Sequence, residues 1–121
     1  MYDSKSKKIG ENSLDYCSIC GVCKPSCPVF KIELSEASSP RGKVIMLKSG
    51  DNSLLMYKCT LCGACTVSCP AGVDLVKNFR LARSELAANK IELSENSEMI
   101  KNLKKFGNPY GKPDKTYKPK Y

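Results

Sequence analysis

The chain has 121 residues, of which 41% are hydrophobic, and 20 basic against 12 acidic side chains give it a formal net charge of +8 at pH 7. This length predicts one small domain with a limited core. No stretch approaches the roughly 20 apolar residues of a membrane span, and the polar N-terminus has no signal-peptide core, so we expect a soluble, cytoplasmic protein with reduced thiols.

The first element in chain order is a short polar leader, residues 1–12, which we predict to be flexible, with Asn12 or Ser13 capping a turn before the first cysteine. A run with the spacing C-x-x-C-x-x-C-x-x-x-C-P follows, made of Cys17, Cys20, Cys23 and Cys27 with Pro28 behind them. Gly21 stands inside this run, where a positive φ or a close approach of the backbone to a ligand is expected.

The spacer between residues 28 and 58 carries helix signals. Ser39 is a good N-cap and Pro40 suits the first helical position, so we predict a helix that ends near Gly50. A second short helix is predicted from Leu54 to Lys58. Arg41 can pair with a neighbouring acid or with a substrate or partner, and structural pairing is the simpler reading.

The second run repeats the first with identical spacing, and it comprises Cys59, Cys62, Cys65 and Cys69, followed by Pro70. Every cysteine of the chain belongs to one of the two runs, and both have the spacing of bacterial [4Fe–4S] sites, in which the fourth cysteine ligates the other cluster. We therefore predict two [4Fe–4S] clusters with exchanged fourth ligands. One is assigned to Cys17, Cys20, Cys23 and Cys69, and the other to Cys59, Cys62, Cys65 and Cys27.

Two helices are predicted after the second run. Asp74 caps the first, whose apolar residues recur at helical spacing: Leu75, Phe79, Ala82 and Leu86. Its other side carries Lys77, Asn78, Arg80, Arg83 and Ser84. Ser94 is predicted to cap the second helix, which ends at Gly107 and presents Met99, Ile100, Leu103 and Phe106 on one face. We expect these apolar stripes to form the core of an all-α domain, residues 13–107, with two cluster-binding loops.

Residues 108–121 are predicted to be a basic extended tail, because residues 101–121 hold seven lysines and one acid. We expect this tail to be solvated or to dock on a protein partner rather than on nucleic acid. Two other uses of the cysteines stay open. A disulfide framework is one, and structural zinc in a nucleic-acid module is the other, although zinc sites usually separate their C-x-x-C pairs and the chain has no histidine.

Four segments resemble one family of iron–sulfur proteins. They read SPRGKVIMLKSG, CTLCGACTVSCPAGVDL, NFRLARSEL and FGNPYG. Over residues 13–112 the chain is similar to the α-helical ferredoxin domain of the heterodisulfide reductase C-like proteins and of the iron–sulfur subunits of glycolate and lactate oxidases. The resemblance implies an α-helical ferredoxin domain in which all eight cysteines occupy ligand positions of the family.

The resemblance also implies a function. Such a domain passes electrons through two [4Fe–4S] clusters to a module rich in CCG motifs, so we expect an electron-transfer subunit of an oxidoreductase in a hetero-oligomeric complex. Its partners would be a CCG-domain redox subunit and a flavin- or ferredoxin-type donor, with substrate chemistry on another chain and no catalytic residue here. No CCG motif follows before Tyr121, which favours the heterodisulfide reductase arrangement, with that module on a separate chain, or a fragment. The alternatives are a free-standing ferredoxin-type carrier and the iron–sulfur part of a lactate or glycolate oxidase.

Overall fold

A computed structural model describes residues 14–111 of the chain. Within this range there are five α-helices: α1 (Pro28–Glu33), α2 (Pro40–Lys48), α3 (Ala64–Val67), α4 (Leu75–Ala88) and α5 (Ser94–Phe106). Three 3-10 helices, Leu14–Tyr16, Glu36–Ser38 and Leu54–Lys58, complete the secondary structure, and residues 14–111 contain no strand. The all-α prediction is confirmed. The predicted leader, its cap and residues 112–121 of the predicted tail lie outside the described range.

Helix α2 begins and ends where the spacer sequence predicts. The Ser39 side chain accepts a hydrogen bond of 2.9 Å from the backbone N–H of Gly42, and Pro40 occupies the first turn. Gly50 adopts a φ of +78° just after the helix, a conformation that glycine adopts without steric strain. The short helix predicted from Leu54 to Lys58 is present as a 3-10 helix with those bounds.

The core is built around α4. This helix begins at the predicted cap, because the Asp74 carboxylate accepts a hydrogen bond of 3.0 Å from the N–H of Lys77. It contacts α2, α3 and the 3-10 helix Leu54–Lys58. The buried apolar side chains are Val44, Leu47, Met56, Cys65, Val73, Leu75, Phe79, Ala82 and Leu86. All four residues of the predicted α4 stripe are among them, so that prediction is confirmed.

Two residues on the polar side of α4 are not exposed. Asn78 is only 1% exposed, and its side-chain N–H donates to the carbonyl of Asp74 at 2.8 Å. Arg83 is half-buried and bonds to backbone carbonyls of the segment before the second cysteine run. A helical wheel groups both side chains with the polar residues by type, whereas these hydrogen bonds offset part of the free-energy cost of burial.

The chain divides into two units, one ending at Lys90 and the other beginning at Ile91. The second unit contains α5, whose N-cap is Leu93 and not the predicted Ser94, because Ser94 is already helical and its hydroxyl bonds to Glu95. Gly107 ends the helix with a φ of +73°, as predicted. The prediction that the apolar stripe of α5 belongs to the core is wrong, because this stripe contains no buried residue, in contrast to the stripe of α4. Within residues 14–111, no helix is long and apolar enough to cross a membrane.

Candidate iron–sulfur site

The two cysteine loops have the same backbone conformation. In the first loop Ile19 has a φ of +59° and Gly21 of +86°, and in the second Leu61 has +56° and Gly63 +82°. Positive φ is unusual for a leucine and strained for a β-branched isoleucine, so this conformation is imposed by the loop. It turns the Leu61 N–H toward the Cys59 sulfur, 3.4 Å away.

The fourth cysteine of each run also accepts a backbone N–H. The N–H of Phe30 lies 3.5 Å from Sγ of Cys27, and the N–H of Val73 lies 3.4 Å from Sγ of Cys69. Backbone donors of this kind stabilise negative charge on sulfur and adjust the electronic properties of a bound metal centre. The sulfur of the fourth cysteine therefore accepts a backbone hydrogen bond in both runs, although different elements follow the two runs.

The second cysteine of each run is an exposed thiol with a lowered pKa. The pKa of Cys20 is lowered chiefly by a hydrogen bond from the backbone N–H of Val22. The pKa of Cys62 is lowered chiefly by the N–H of Ala64 at the equivalent place. Because thiolates, and not thiols, bind metals, both loops favour the ligating form of this cysteine.

A cavity next to α4 brings together cysteines from both runs. We call it the Cys59 cavity; its volume is about 20 Å³, and it is partly open to solvent. Its sulfur-bearing lining residues are Cys27, Cys59, Cys62 and Cys65, and its walls include Pro40, Lys43, Val76 and Phe79. The fourth cysteine of the first run thus lies with the first three of the second run, the grouping that the exchanged-ligand prediction requires.

The complementary set of thiols interacts electrostatically. Burial raises the pKa of Cys23, and negative charge on Cys17, Cys20 and Cys69 raises it further. The fourth cysteine of the second run is therefore within electrostatic reach of the first run. This grouping matches the other predicted ligand set.

The two sites are close to each other through the third cysteine of each run. Cys65 is 6% exposed, and burial, followed by negative charge on Cys59 and Cys23, raises its pKa to about 11. An interaction between Cys23 and Cys65 joins two thiols that are assigned to different clusters. The predicted clusters would therefore be neighbours.

Basic side chains hold the start of each run in place. Lys48 donates to the carbonyl of Cys17 at 2.8 Å. Arg83 donates to the carbonyls of Met56 at 2.9 Å and Tyr57 at 3.2 Å, and also to that of Cys59. In both cases a helix later in the chain anchors the first cysteine of the preceding run. Sequence reasoning missed these two roles, because a long basic side chain carries no signal that distinguishes a carbonyl partner from solvent.

Arg41 has the structural role that the simpler reading assigned to it. Its Nε lies 2.8 Å from Oε1 of Glu36, whose other oxygen lies 2.5 Å from Nζ of Lys24. The arginine also packs against the first cysteine loop, since a Cβ atom at Gly21 would lie 3.2 Å from its Nη1. The spacer is thereby attached to the loop that it follows.

Lys43 is the residue of the site that sequence analysis did not identify. It lines the Cys59 cavity and is 1% exposed. Its position in the helix could have indicated burial, because Lys43 lies three residues after Pro40 and four before Leu47. Both of these residues are buried on the inner face of α2. Lysine at such a position is usually assigned to the surface by composition alone.

The donor chemistry of this region suits iron–sulfur ligation. All eight cysteines are free thiols, and soft thiolates bind iron–sulfur clusters. Among residues 14–111, no three cysteine, aspartate or glutamate side chains are grouped closely enough to hold a single metal ion.

Comparison with known proteins agrees with this chemistry. The family model described as a 4Fe-4S dicluster domain matches residues 13–73, about half of the 121-residue chain. That range contains both cysteine runs and the spacer between them. A search of curated proteins found no match. The family match, with eight free thiols in two loops of the same conformation, shows that the chain belongs to the 4Fe-4S dicluster domain family.

Proposed function

We propose that this chain is an electron-transfer subunit that carries two [4Fe–4S] clusters and relays electrons to a CCG-domain catalytic partner in a cytoplasmic heterodisulfide-reductase-like complex. One observation carries the proposal. Cys27 of the first run lines the same cavity as three cysteines of the second run, and this exchange of the fourth ligand is typical of two-cluster electron carriers.

The chain's own residues would bind and adjust the clusters. Bound [4Fe–4S] clusters supply one-electron transfer. The eight thiols hold them, and the backbone N–H groups at Cys27, Cys59 and Cys69 donate to sulfur. Hydrogen bonds to sulfur and exclusion of water both influence the reduction potential. The repeated loop conformation therefore supports a role in positioning and adjusting the cofactors.

The proximity of the two sites supports a relay. Charge on Cys23 raises the pKa of Cys65, so two clusters held by these loops would be close to each other. The chain has no histidine, which supports placing substrate chemistry on a partner. The helical spacer between the runs supports the α-helical type of ferredoxin domain.

Metal and sulfide analysis tests the cofactor. Protein purified without air should contain eight irons and eight acid-labile sulfides per chain, because each of two clusters holds four of each. Two zinc ions without sulfide would contradict the proposal and support the zinc module instead. A count of four irons would leave one cluster and contradict the relay.

Two matched variants test the ligand sets. Cys27→Ser should damage the cluster held by Cys59, Cys62 and Cys65, while Cys69→Ser should damage the cluster held by the first run. Mössbauer and electron paramagnetic resonance spectra of the reduced proteins distinguish the two clusters, and each variant serves as the control for the other. If each substitution instead disturbs the cluster of its own run, the exchanged ligand sets are wrong.

Purification at native concentration tests the partners. We expect a CCG-domain protein and a flavin- or ferredoxin-type donor to copurify with the chain, and the reduced chain to pass electrons to that CCG-domain protein. A stable monomer that reduces several unrelated acceptors equally well would favour the free-standing carrier. Copurification with a flavoprotein that oxidises lactate or glycolate would favour the 2-hydroxy-acid oxidase.

A further inference from the structure

A buried lysine lines the Cys59 cavity. Lys43 is 1% exposed, and its ammonium group donates a hydrogen bond to the backbone carbonyl of Ser38. Among residues 14–111, no carboxylate lies within ion-pair distance of it. A buried ammonium group is strongly unfavourable unless negative charge compensates it.

An acid on α1 provides this compensation only in part. Glu33 favours the charged form of Lys43 less than Cys59 and Cys27 do, and its two oxygens lie 2.9 Å and 3.2 Å from Nζ of Lys58. The Ser38 hydroxyl also donates to the same carboxylate. Glu33 is therefore already paired with Lys58 at the protein surface.

The cysteines of the cavity are the negative groups that favour the charged lysine. Burial lowers the pKa of Lys43, and negative charge on Cys59 and then on Cys27 opposes that shift. These cysteines belong to different runs and line the same cavity. An oxidised [4Fe–4S] cluster with four thiolates carries a charge of about −2, and one added electron makes it about −3.

The first cysteine run has no equivalent buried cation among the described residues. Lys24 and Arg41 lie next to it, but both pair with the carboxylate of Glu36. Their side chains are 25% and 35% exposed, so solvent screens what charge remains. Lys48, which bonds to the carbonyl of Cys17, is exposed. The two sites thus differ in charge although their loops have the same shape.

We propose that Lys43 is the counter-charge of the cluster in the Cys59 cavity, and that it makes this cluster the more easily reduced of the two. The inference rests on the proposed function, since it requires two bound clusters. Reduction adds one electron from the donor and no proton, and the buried cation stabilises the more negative product. An electron passing through the chain would therefore reside on this cluster.

Lys43→Met tests the proposal, because methionine keeps the length of the side chain and removes its charge. The interaction between two unit charges roughly 10 Å apart, at an effective dielectric constant of about 20, changes an equilibrium constant more than tenfold. At a given solution potential, the ratio of reduced to oxidised cluster in the Cys59 cavity should fall at least about tenfold, which corresponds to about 59 mV for a one-electron couple. Redox titration followed by electron paramagnetic resonance measures this ratio, with the signals assigned from the Cys27→Ser and Cys69→Ser proteins.

Two further variants separate charge from packing. Lys43→Arg keeps the charge and should hold the ratio within about threefold of the unmodified protein. Lys31→Met removes an exposed charge from α1 and should shift neither cluster by more than about threefold, because solvent screens that position. An unchanged ratio in Lys43→Met, equal shifts of both clusters or a shift of the first-run cluster alone would overturn the proposal.

If Lys43→Met does not retain both clusters, its iron content tests the proposal instead of its potential. Selective loss of the cluster in the Cys59 cavity, with retention in Lys43→Arg, supports the counter-charge. Loss of the first-run cluster, or equal loss of both, contradicts it. Iron and sulfide analysis of the unmodified chain tests the proposed function separately, so eight irons with an unchanged potential in Lys43→Met would refute only the role of Lys43.

Discussion

A single methyl group at Gly42 should disrupt the contact that places α2 beside the Cys59 cavity. A Cβ atom there would lie 1.9 Å from the carbonyl oxygen of Glu36 and 2.7 Å from its carbonyl carbon. Both atoms belong to the backbone, so α2 and the segment Glu36–Ser38 would have to separate by about 1 Å or more to restore ordinary contact. Alanine gains roughly 1 kcal/mol over glycine as a helix former, whereas overpacking of this severity costs about 3 kcal/mol. We expect Gly42→Ala to destabilise the folded protein by about 2 kcal/mol.

Gly50→Ala is the matched control for this prediction. A Cβ atom at Gly50 meets nothing within 4 Å, but the φ of +78° is unfavourable for alanine, by roughly 1 kcal/mol. The assay is the rate of loss of cluster absorbance in denaturant, because unfolding with cluster loss is irreversible. Gly42→Ala should lose its clusters up to about thirtyfold faster than the unmodified chain, and Gly50→Ala about fivefold faster. If Gly42→Ala were no faster than Gly50→Ala, the reasoning from close contact would be refuted.

Three other substitutions have defined outcomes. Arg83→Met should destabilise the protein by about 2 kcal/mol and speed the loss of cluster absorbance in denaturant up to about thirtyfold, because it leaves backbone carbonyls without their charged donor. Exposed Arg80→Met should change stability by less than about 0.5 kcal/mol. Equal effects would show that the carbonyl contacts contribute nothing. Asp74→Ala should lower the stability of the folded protein by about 1 kcal/mol because the helix cap is lost, and Asp74→Asn should lower it much less. Equal losses of helical circular dichroism in the two variants would contradict the capping role. A hydrogen bond from Lys24 lowers the pKa of Glu36 below 4.5. The ionised Glu36 carboxylate therefore stabilises the folded protein fully above pH 4.5, and this stabilisation is lost as pH falls through the lowered pKa. Glu36→Gln should therefore cost less than about 1 kcal/mol, by an amount constant between about pH 8 and about pH 5 and reduced by salt; a steep change within that interval would point to another group.

Local signals predicted the helices well because their causes are local. The serine and proline that start α2 and the aspartate that starts α4 act within one turn of the chain, so they can be read from sequence. Ser94 failed as a predicted cap, because its sequence context does not distinguish the N-cap from the residue after it. Polarity alone did not indicate the burial of Asn78 or the carbonyl partners of Arg83, since it reports the usual location of a side chain and not the partner that permits its burial.

The sequence by itself determined the family of this protein, because the number, type and spacing of the cysteines indicate iron–sulfur chemistry and the repeat predicts two loops of one shape. Tertiary structure alone decided which thiols share a cavity, since Cys27 and Cys59 are 32 positions apart in the chain and meet only when α2 and α4 pack together. It also decided that Lys43 is buried beside them, while Lys31, Lys48 and Lys58 are exposed. Residue type sets what a side chain can bind, but burial and neighbouring groups set how stable its charged form is and how strongly that charge interacts. Burial and neighbours depend on contacts between residues far apart in sequence.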